Sequence, residues 1–600
     1  MLSERKKDIS MENKQPKHPP LNSSLLALIA VSVGVIGGFG AVAFRALIAL
    51  FHNLLFLGKF SLVYEANIHT PASPWGPFVI LVPVLGAAGV SFLVTHFAPE
   101  AKGHAIPEVV DYSRGMIRPV VGVVKSLASV LSIGSGGSVG PEGPMIQIGS
   151  SFGSTLGQYI PMATWQRVTL IAAGAGAGLA ATFNTPIGGV FFAMEIILHE
   201  VSARTLVPVA ISTAIATYIG QVFFGVHPAF SIPKLQTPFS HLLNPLVIGS
   251  YFGVGIVTGI GSAIYIHSIY FFEDIFETKI PGNYYLRHMT GMLMVGVVMY
   301  LSMNFLGHYY VEGVGYAGIE DVLTGNLPQF NLLVLLFILK LMVTSLTLGS
   351  GGSGGIFSPT FFLGAMAGGA YGVALKTLFP SLPVSPLVFA IAGMAGMVCG
   401  STGAVITALV MVFEMTLDYN AILPLTVTVA VSIGIRAILL RYNIYTLKLA
   451  RRGHFMPNAL RTNFQYLKRA KSVMESPPAI PPGSMPIEDF AKLVSQGNGP
   501  SFLVGDGKSI LGIVSGKDVL KAFSAPSGMT LGDLADRKFI TISEETPLFE
   551  IVGRMRAEGA ATAIVVPKGK PLTSANVVGI ITREQIARLI GEQSVASYEE

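Results

Sequence analysis

GSGGSVGPEGP at residues 134–144 and GSGGSGGIFSP at residues 349–359 are two copies of one phrase. Seven of the eleven positions are identical at an offset of 215. Lys125 and Lys340 repeat at that same offset, and GHAIPEV from Gly103 resembles GYAGIED from Gly315. At an offset of 219, Gly174 and Glu195 match Gly393 and Glu414. Two related halves therefore lie within one apolar region, each about 100 residues long in its clearest part. Repeated halves with Gly- and Pro-broken segments point to a transport site at the repeat interface.

Composition sets the class. Charged residues make up 12% of the chain, against about 25% in soluble domains. Hydrophobic residues reach 51%, and there are 68 glycines. Residues 21–99 carry only Arg45, Lys59 and Glu65, whereas residues 472–600 have the composition of a soluble domain. The expectation is an α-helical polytopic membrane protein with a soluble C-terminal part. Residues 1–22 form a polar N-terminal segment with Arg5, Lys6, Lys7, Lys14 and Lys17, and they lack the apolar core of a cleaved signal peptide. Arg441, Lys448, Arg451 and Arg452 follow the last apolar stretch. Basic flanks at both ends place both termini in the cytoplasm and predict an even number of crossings. Cys399 is the single cysteine, which leaves no intrachain disulfide and no cysteine-based metal site.

Apolar segments run at 23–57, 77–98, 118–133, 144–160, 168–182, 186–198, 205–225, 243–273, 288–306, 329–348, 356–378, 386–400, 403–417 and 422–440. Several fall short of the ~20 residues that cross a bilayer. Short helices with Gly-rich ends that stop partway must have their exposed backbone buried in protein or lining a cavity. Gly34 and Gly38 read as helix-packing positions.

GPEGP at 140–144 places Glu142 at a helix start, between Pro141 and Pro144. A carboxylate there accepts the free amides and meets the positive end of the dipole. A free anion would bind the same geometry. Glu142 can thus hold an anion's place when ionised and leave it when protonated, which is a gate with a proton attached. The second copy, GIFSP at 355–359, has Phe357 at the position of the acid, so the amides of Ile356 and Phe357 form an anion cradle without a competing carboxylate.

GPEGP, GIFSP, GHAIPE and IYTLKLARRG at 444–453 resemble the CLC family of chloride channels and chloride/proton exchangers, over most of residues 25–455. The resemblance implies two inverted-topology repeats of tilted and re-entrant helices in a transport domain spanning 23–452. It also implies a homodimer with a separate pore in each subunit. Glu142 matches the external gating glutamate, and Tyr445 the tyrosine whose hydroxyl holds the central anion. Ile356 and Phe357 match the residues that donate backbone amides to it.

Two positions depart from the family pattern. The family usually reads GSGIP where this chain has Gly103 to Pro107, so His104 stands in place of the serine that contacts the central anion. An imidazole donates a hydrogen bond when neutral and binds anions more strongly when charged. Exchangers in the family usually carry two adjacent glutamates after FNxP. Here Glu195 matches the first, while Ile196, which cannot titrate, takes the proton-accepting position. Ile196 is the feature that favours a passive channel, and Glu200 is a candidate substitute for the missing acid. Recurrence of Glu195 and Glu414 in both halves fits a structural role.

After a linker at 453–471, the units 472–528 and 529–592 each end in a G-apolar-apolar-Ser/Thr turn into a helix, GIVSGKDV from Gly512 and GIITREQI from Gly579. They resemble a pair of small α+β CBS domains, with 593–600 a loose tail. The resemblance implies an adenine nucleotide at Ser515 and Asp518. Thr582 fits the second copy, but Gln585 replaces its acid. A purely structural pair is the alternative.

The expected function is chloride/proton antiport gated by Glu142, with a voltage- or pH-gated chloride channel as the alternative. The partners are chloride or a similar small anion, protons and membrane lipid; no cofactor is required. A CBS-regulated cation transporter is disfavoured because hard cations need several oxygen ligands. A non-transporting sensor is disfavoured by the gate and tyrosine positions. An enzyme is not expected, since no nucleophile–base constellation or metal-ligand spacing occurs. The basic flanks read as membrane-facing rather than as a nucleic-acid surface.

Overall fold

The computed structural model describes residues 20–103, 106–110, 117–199, 201–226, 244–451, 468–476, 480–487, 489–490, 501–506, 509–515 and 529–596. They form two compact units, divided at Leu447/Lys448.

The described elements of the first unit are all helices. Its helices are α1 (Ser23–Leu57), α2 (Val82–Phe97), α3 (Ile106–Val110), α4 (Pro119–Gly134), α5 (Glu142–Tyr159), α6 (Thr164–Phe183), α7 (Pro186–Phe192) and α8 (Ala203–Phe224). Then follow α9 (Pro245–Thr278), α10 (Tyr284–Leu306), α11 (Tyr316–Thr324), α12 (Phe330–Gly349), α13 (Phe357–Leu378), α14 (Pro386–Thr402), α15 (Val405–Thr416), α16 (Ile422–Leu439) and α17 (Ile444–Arg451). Every apolar segment read from the sequence is a helix, with ends displaced by a few residues. Proline opens α4, α7, α9 and α14, where its missing N–H costs nothing. One stretch, Ala193–Leu198, widens into a π-turn after α7.

Eight of the described helices are long and apolar enough to cross a membrane, while α4, α14, α15 and the 186–198 segment are shorter. Large apolar side chains such as Phe39, Phe78, Leu85, Phe92 and Ile264 remain exposed on the longer helices. Such a surface suits lipid or another apolar face and not water.

The internal repeat is visible atom by atom. Ser129 of the first half bonds Ser353 of the second at 2.9 Å, and their equivalents, Thr344 and Ser138, bond at the same distance. Lys125 donates to the carbonyls of Ala101 and Gly103; Lys340 donates to those of Val311 and Gly313. These buried ammonium groups are thus satisfied by backbone oxygens, as burial of a charge requires. Helices α5 and α6 cross so closely that a Cβ on Gly149 would lie 2.0 Å from the Gly174 carbonyl oxygen. The equivalent crossing of α13 and α14 leaves 2.4 Å between a Cβ on Gly364 and the Gly393 oxygen. Gly34 and Gly38 do pack α1 against Ser212, Ile215 and Ile219 of α8.

In the second unit, β1 (Ser501–Gly505) pairs antiparallel with β2 (Ile510–Ser515). A second sheet has the order β3 (Phe539–Ser543), β4 (Thr562–Val566), β5 (Gly579–Thr582), parallel then antiparallel. Helix α18 (Ala470–Val473) packs against Ile540, Ile551 and Ile581 of the three-stranded sheet and its helices. Its buried faces, Ala470 and Val473, and a two-way backbone bridge between Glu475 and Ile580 hold it there. Helix α21 (Arg583–Ala596) follows β5. The described residues of the unit also include α19 (Leu531–Leu534) and α20 (Leu548–Ala557).

Candidate functional site

Two helix starts meet where the repeats pair. Glu142 opens α5 and Phe357 opens α13, at equivalent positions of the repeated phrase. Helix starts leave N–H groups unpaired and carry the positive end of the dipole. The side chain of Glu142 keeps a hydrogen bond from its own amide at the start of α5 and is not confined to that helix. It crosses to the other repeat, where its Oε1 accepts a hydrogen bond from the Ser358 hydroxyl of α13. Backbone amides of both Glu142 and Ser358 also hydrogen-bond to it.

The cause of this crossing is a reciprocal backbone bridge. Gly140 N–H donates to the Gly355 oxygen at 2.8 Å, and Gly355 N–H donates back at 2.7 Å. The bridge leaves room for the carboxylate only because both residues are glycine. A Cβ on Gly140 would lie 2.0 Å from Oε2, and one on Gly355 would lie 2.4 Å from it.

Three buried tyrosines surround the carboxylate closely enough to interact with it electrostatically: Tyr265 of α9, Tyr316 of α11 and Tyr445 of α17. Tyr445 is set in place by the side chain of Asn443, whose Oδ1 accepts from the Tyr445 and Thr446 amides at 3.0 and 2.8 Å. The Tyr270 hydroxyl adds a bond to the Ile444 carbonyl. Ile356 and Phe357 are fully buried, and the Phe357 ring meets Phe192 edge-on at 5.8 Å. The fold thus gathers Glu142, Ile356, Phe357 and Tyr445, while His104 lies outside the described residues.

A cavity of about 660 Å³, open mouth included, adjoins this cluster. Phe44, Arg45 and Ile48 of α1 line it, with Tyr64, Pro141 and Tyr316. Arg45 is the one charged side chain among its lining residues, and its guanidinium lies over the Phe224 ring at 4.4 Å. A lone cation in an apolar mouth raises the local concentration of anions and repels cations.

The family profile for the voltage gated chloride channel matches residues 86–437, and the CBS profile matches 470–525 and 531–592. The chain belongs to the voltage-gated chloride channel (CLC) family. This CLC chain is 36% identical over 363 residues to the H(+)/Cl(-) exchange transporter ClcA of Vibrio parahaemolyticus, covering 59% of this chain and 75% of that protein. It is 32% identical over 411 residues to the ClcA exchange transporter of Yersinia pseudotuberculosis, covering 67% and 83%. Among solved structures, a slow cyanobacterial Cl−/H+ antiporter superposes with a TM-score of 0.61 at 26% identity, over 71% of this chain and 97% of that one. A eukaryotic CLC transporter matches in fold over 93% of this chain and 97% of that one, with a TM-score of 0.60 at 18% identity. The family is one of membrane transporters, so this CLC chain is an integral, multi-pass membrane protein.

Glu195 and Glu414 take the structural part that their recurrence suggests. Glu195 accepts from the amides of Val405, Ile406 and Thr407 and from the Thr407 hydroxyl, capping the start of α15. Glu414 accepts from the amides of Ile187 and Gly188, capping the start of α7. Each half therefore caps the other. Ile196 is buried in the π-turn, and Glu200 lies outside the described residues.

In the CBS pair, Asp518 lies outside the described residues, and Ser515 ends β2. Thr582 ends β5, and its hydroxyl accepts from the Gln585 amide at 3.2 Å. Gln585 thus returns as the partner in a helix-start cap for α21 and not as a substitute acid.

Four residues at the site escaped the sequence reading: Ser358, Tyr265, Tyr316 and Arg45. Ser358 and Tyr316 both lie in phrases already picked out by the repeat, but nothing local signals that they touch Glu142. Arg45 stood out as one of three charges in residues 21–99, with no indication of what it faces.

The Gly140 geometry gives a direct test. In Gly140→Ala the three atoms nearest to the new methyl group all belong to the Glu142 side chain, so the carboxylate is the part that gives way. The expected result is a folded protein whose anion flux no longer depends on external pH, measured by chloride efflux from vesicles. A pH dependence like that of the unmodified protein would mean that the carboxylate rests elsewhere.

Proposed function

We propose that this CLC chain exchanges chloride for protons across a membrane, with Glu142 as the gate that couples the two. The observation that carries the reading is the ionisable carboxylate of one repeat lodged at the helix start of the other, where an anion would otherwise bind. Ionised, Glu142 occupies that place. Protonated, it loses its attraction for the amides and hydroxyl and yields to chloride. Each cycle then moves a proton with the gate. The likeness to ClcA exchange transporters supports exchange over passive flow.

Ile196 supports the second reading, a passive channel, because an apolar side chain cannot pass a proton inward. In an exchanger, protons must then reach Glu142 from inside through water or another residue. With the N-terminus cytoplasmic, α1 rises outward, and the Arg45 cavity along its second half opens to the outside. The family resemblance further supports a homodimer with one pore per subunit and His104 as an anion contact.

Proteoliposomes loaded with chloride test the choice when external chloride and pH are recorded together. Chloride efflux that drives protons uphill supports the exchanger. Efflux with no coupled proton movement overturns it in favour of the channel. Adenine nucleotide is the proposed ligand of the CBS pair, at Ser515 and Asp518. Titration calorimetry with ATP on the full-length protein should give saturable binding that Asp518→Ala abolishes; no binding heat would leave the pair a structural module.

A further inference from the structure

Ser358 has a single hydroxyl proton, and it is directed at the Glu142 carboxylate. Its oxygen lies 2.8 Å from the Tyr316 hydroxyl oxygen. With the serine proton committed to Glu142, Tyr316 must be the donor of the second bond. The order is therefore Tyr316 to Ser358 to carboxylate, a chain in which each bond polarises the next. All three residues are buried, and Tyr316 also lines the cavity that holds Arg45.

We propose that Ser358, oriented by Tyr316, is a latch that holds the ionised gate closed and sets the external pH at which it opens. This rests on the reading of Glu142 as the gate. A hydroxyl that donates to a carboxylate stabilises its charged form and not its protonated form. The gate must therefore meet a more acidic solution before it is protonated and released. Ser358 and Tyr316 are positioning residues here, since neither needs to touch the anion.

The other groups facing the site do not offer this function. Tyr265 and Tyr445 approach Glu142 from α9 and α17. Arg45 of α1 acts on Tyr316 across the cavity. Lys340 of α12 approaches the backbone before Tyr316, where a Cβ on Gly315 would lie 3.1 Å from its Nζ, but it spends its protons on the Val311 and Gly313 carbonyls. Lys125 of α4 is likewise bound to carbonyls, and Arg167 of α6 packs against Gly157 near the far end of α5.

The test is chloride flux from proteoliposomes against external pH, in Ser358→Ala, Tyr316→Phe and the double variant. Losing one charge-assisted hydrogen bond should change the closed-to-open ratio about tenfold, which moves the midpoint up by about one pH unit in Ser358→Ala. Tyr316→Phe keeps the ring and should move it the same way by less. The double variant should match Ser358→Ala alone, because Tyr316 acts through Ser358. Ser358→Thr, which keeps the hydroxyl, should restore the original midpoint. An unmoved midpoint in either Ser358→Ala or Tyr316→Phe overturns the latch, as does full additivity in the double variant. Glu142→Gln is run beside them: if it too keeps normal coupling and pH dependence, the gate assignment itself has failed; if it alone changes, only the latch has.

Discussion

Glu142→Gln is expected to abolish proton coupling while chloride still passes. Glutamine has nearly the shape of protonated glutamic acid, and its amide oxygen can still accept from Ser358. It cannot carry a proton through the cycle or take on the charge that competes with chloride. Neutral hydrogen bonds are about half as strong as those to a charged group, so the side chain leaves its place more readily. Proton movement driven by a chloride gradient should fall to background, and the dependence of chloride flux on external pH should flatten. Both are read in the same proteoliposomes. Coupled proton transport at the original ratio would remove Glu142 from the centre of the mechanism.

Glu195→Ala is expected to cost more stability than other single side-chain truncations near the site. One carboxylate serves three backbone amides and a hydroxyl at the start of α15. Removing it leaves those donors unsatisfied inside the protein, a loss of about 3 kcal/mol by analogy with helix caps and charged hydrogen bonds. The apparent melting temperature of the detergent-solubilised protein should fall by roughly 2–3 °C. Glu195→Gln keeps one accepting oxygen and should cost less. The ratio of chloride to protons in the surviving protein should not change in either variant. Loss of coupling in Glu195→Gln without loss of stability would instead place Glu195 on the proton route, which would be the compensation that Ile196 calls for.

These results bear on why the repeat is so well preserved. Lys125 and Lys340, Glu195 and Glu414, and the paired glycines all perform the same local task in each half. The halves diverge at the functional centre. Where one copy has Glu142, the other has Phe357, and where one has Gly143, the other has Ser358. An acid and its hydroxyl partner thus come from opposite halves of a nearly symmetric frame, so one helix start is a gate and the other its seat.

The sequence by itself determined the membrane class, the helices and the twofold internal repeat. These follow from apolar run length and from motif spacing, which are properties of neighbours along the chain. It also singled out Glu142, because an acid between glycines and prolines in an apolar stretch has few structural uses. Only the tertiary structure decided where that acid points. Ser358 and Tyr316 lie 216 and 174 residues from Glu142, and no local pattern encodes a contact over that distance. The bridge between Gly140 and Gly355 joins the two helix starts, and that pairing is what brings the carboxylate of one within reach of the other.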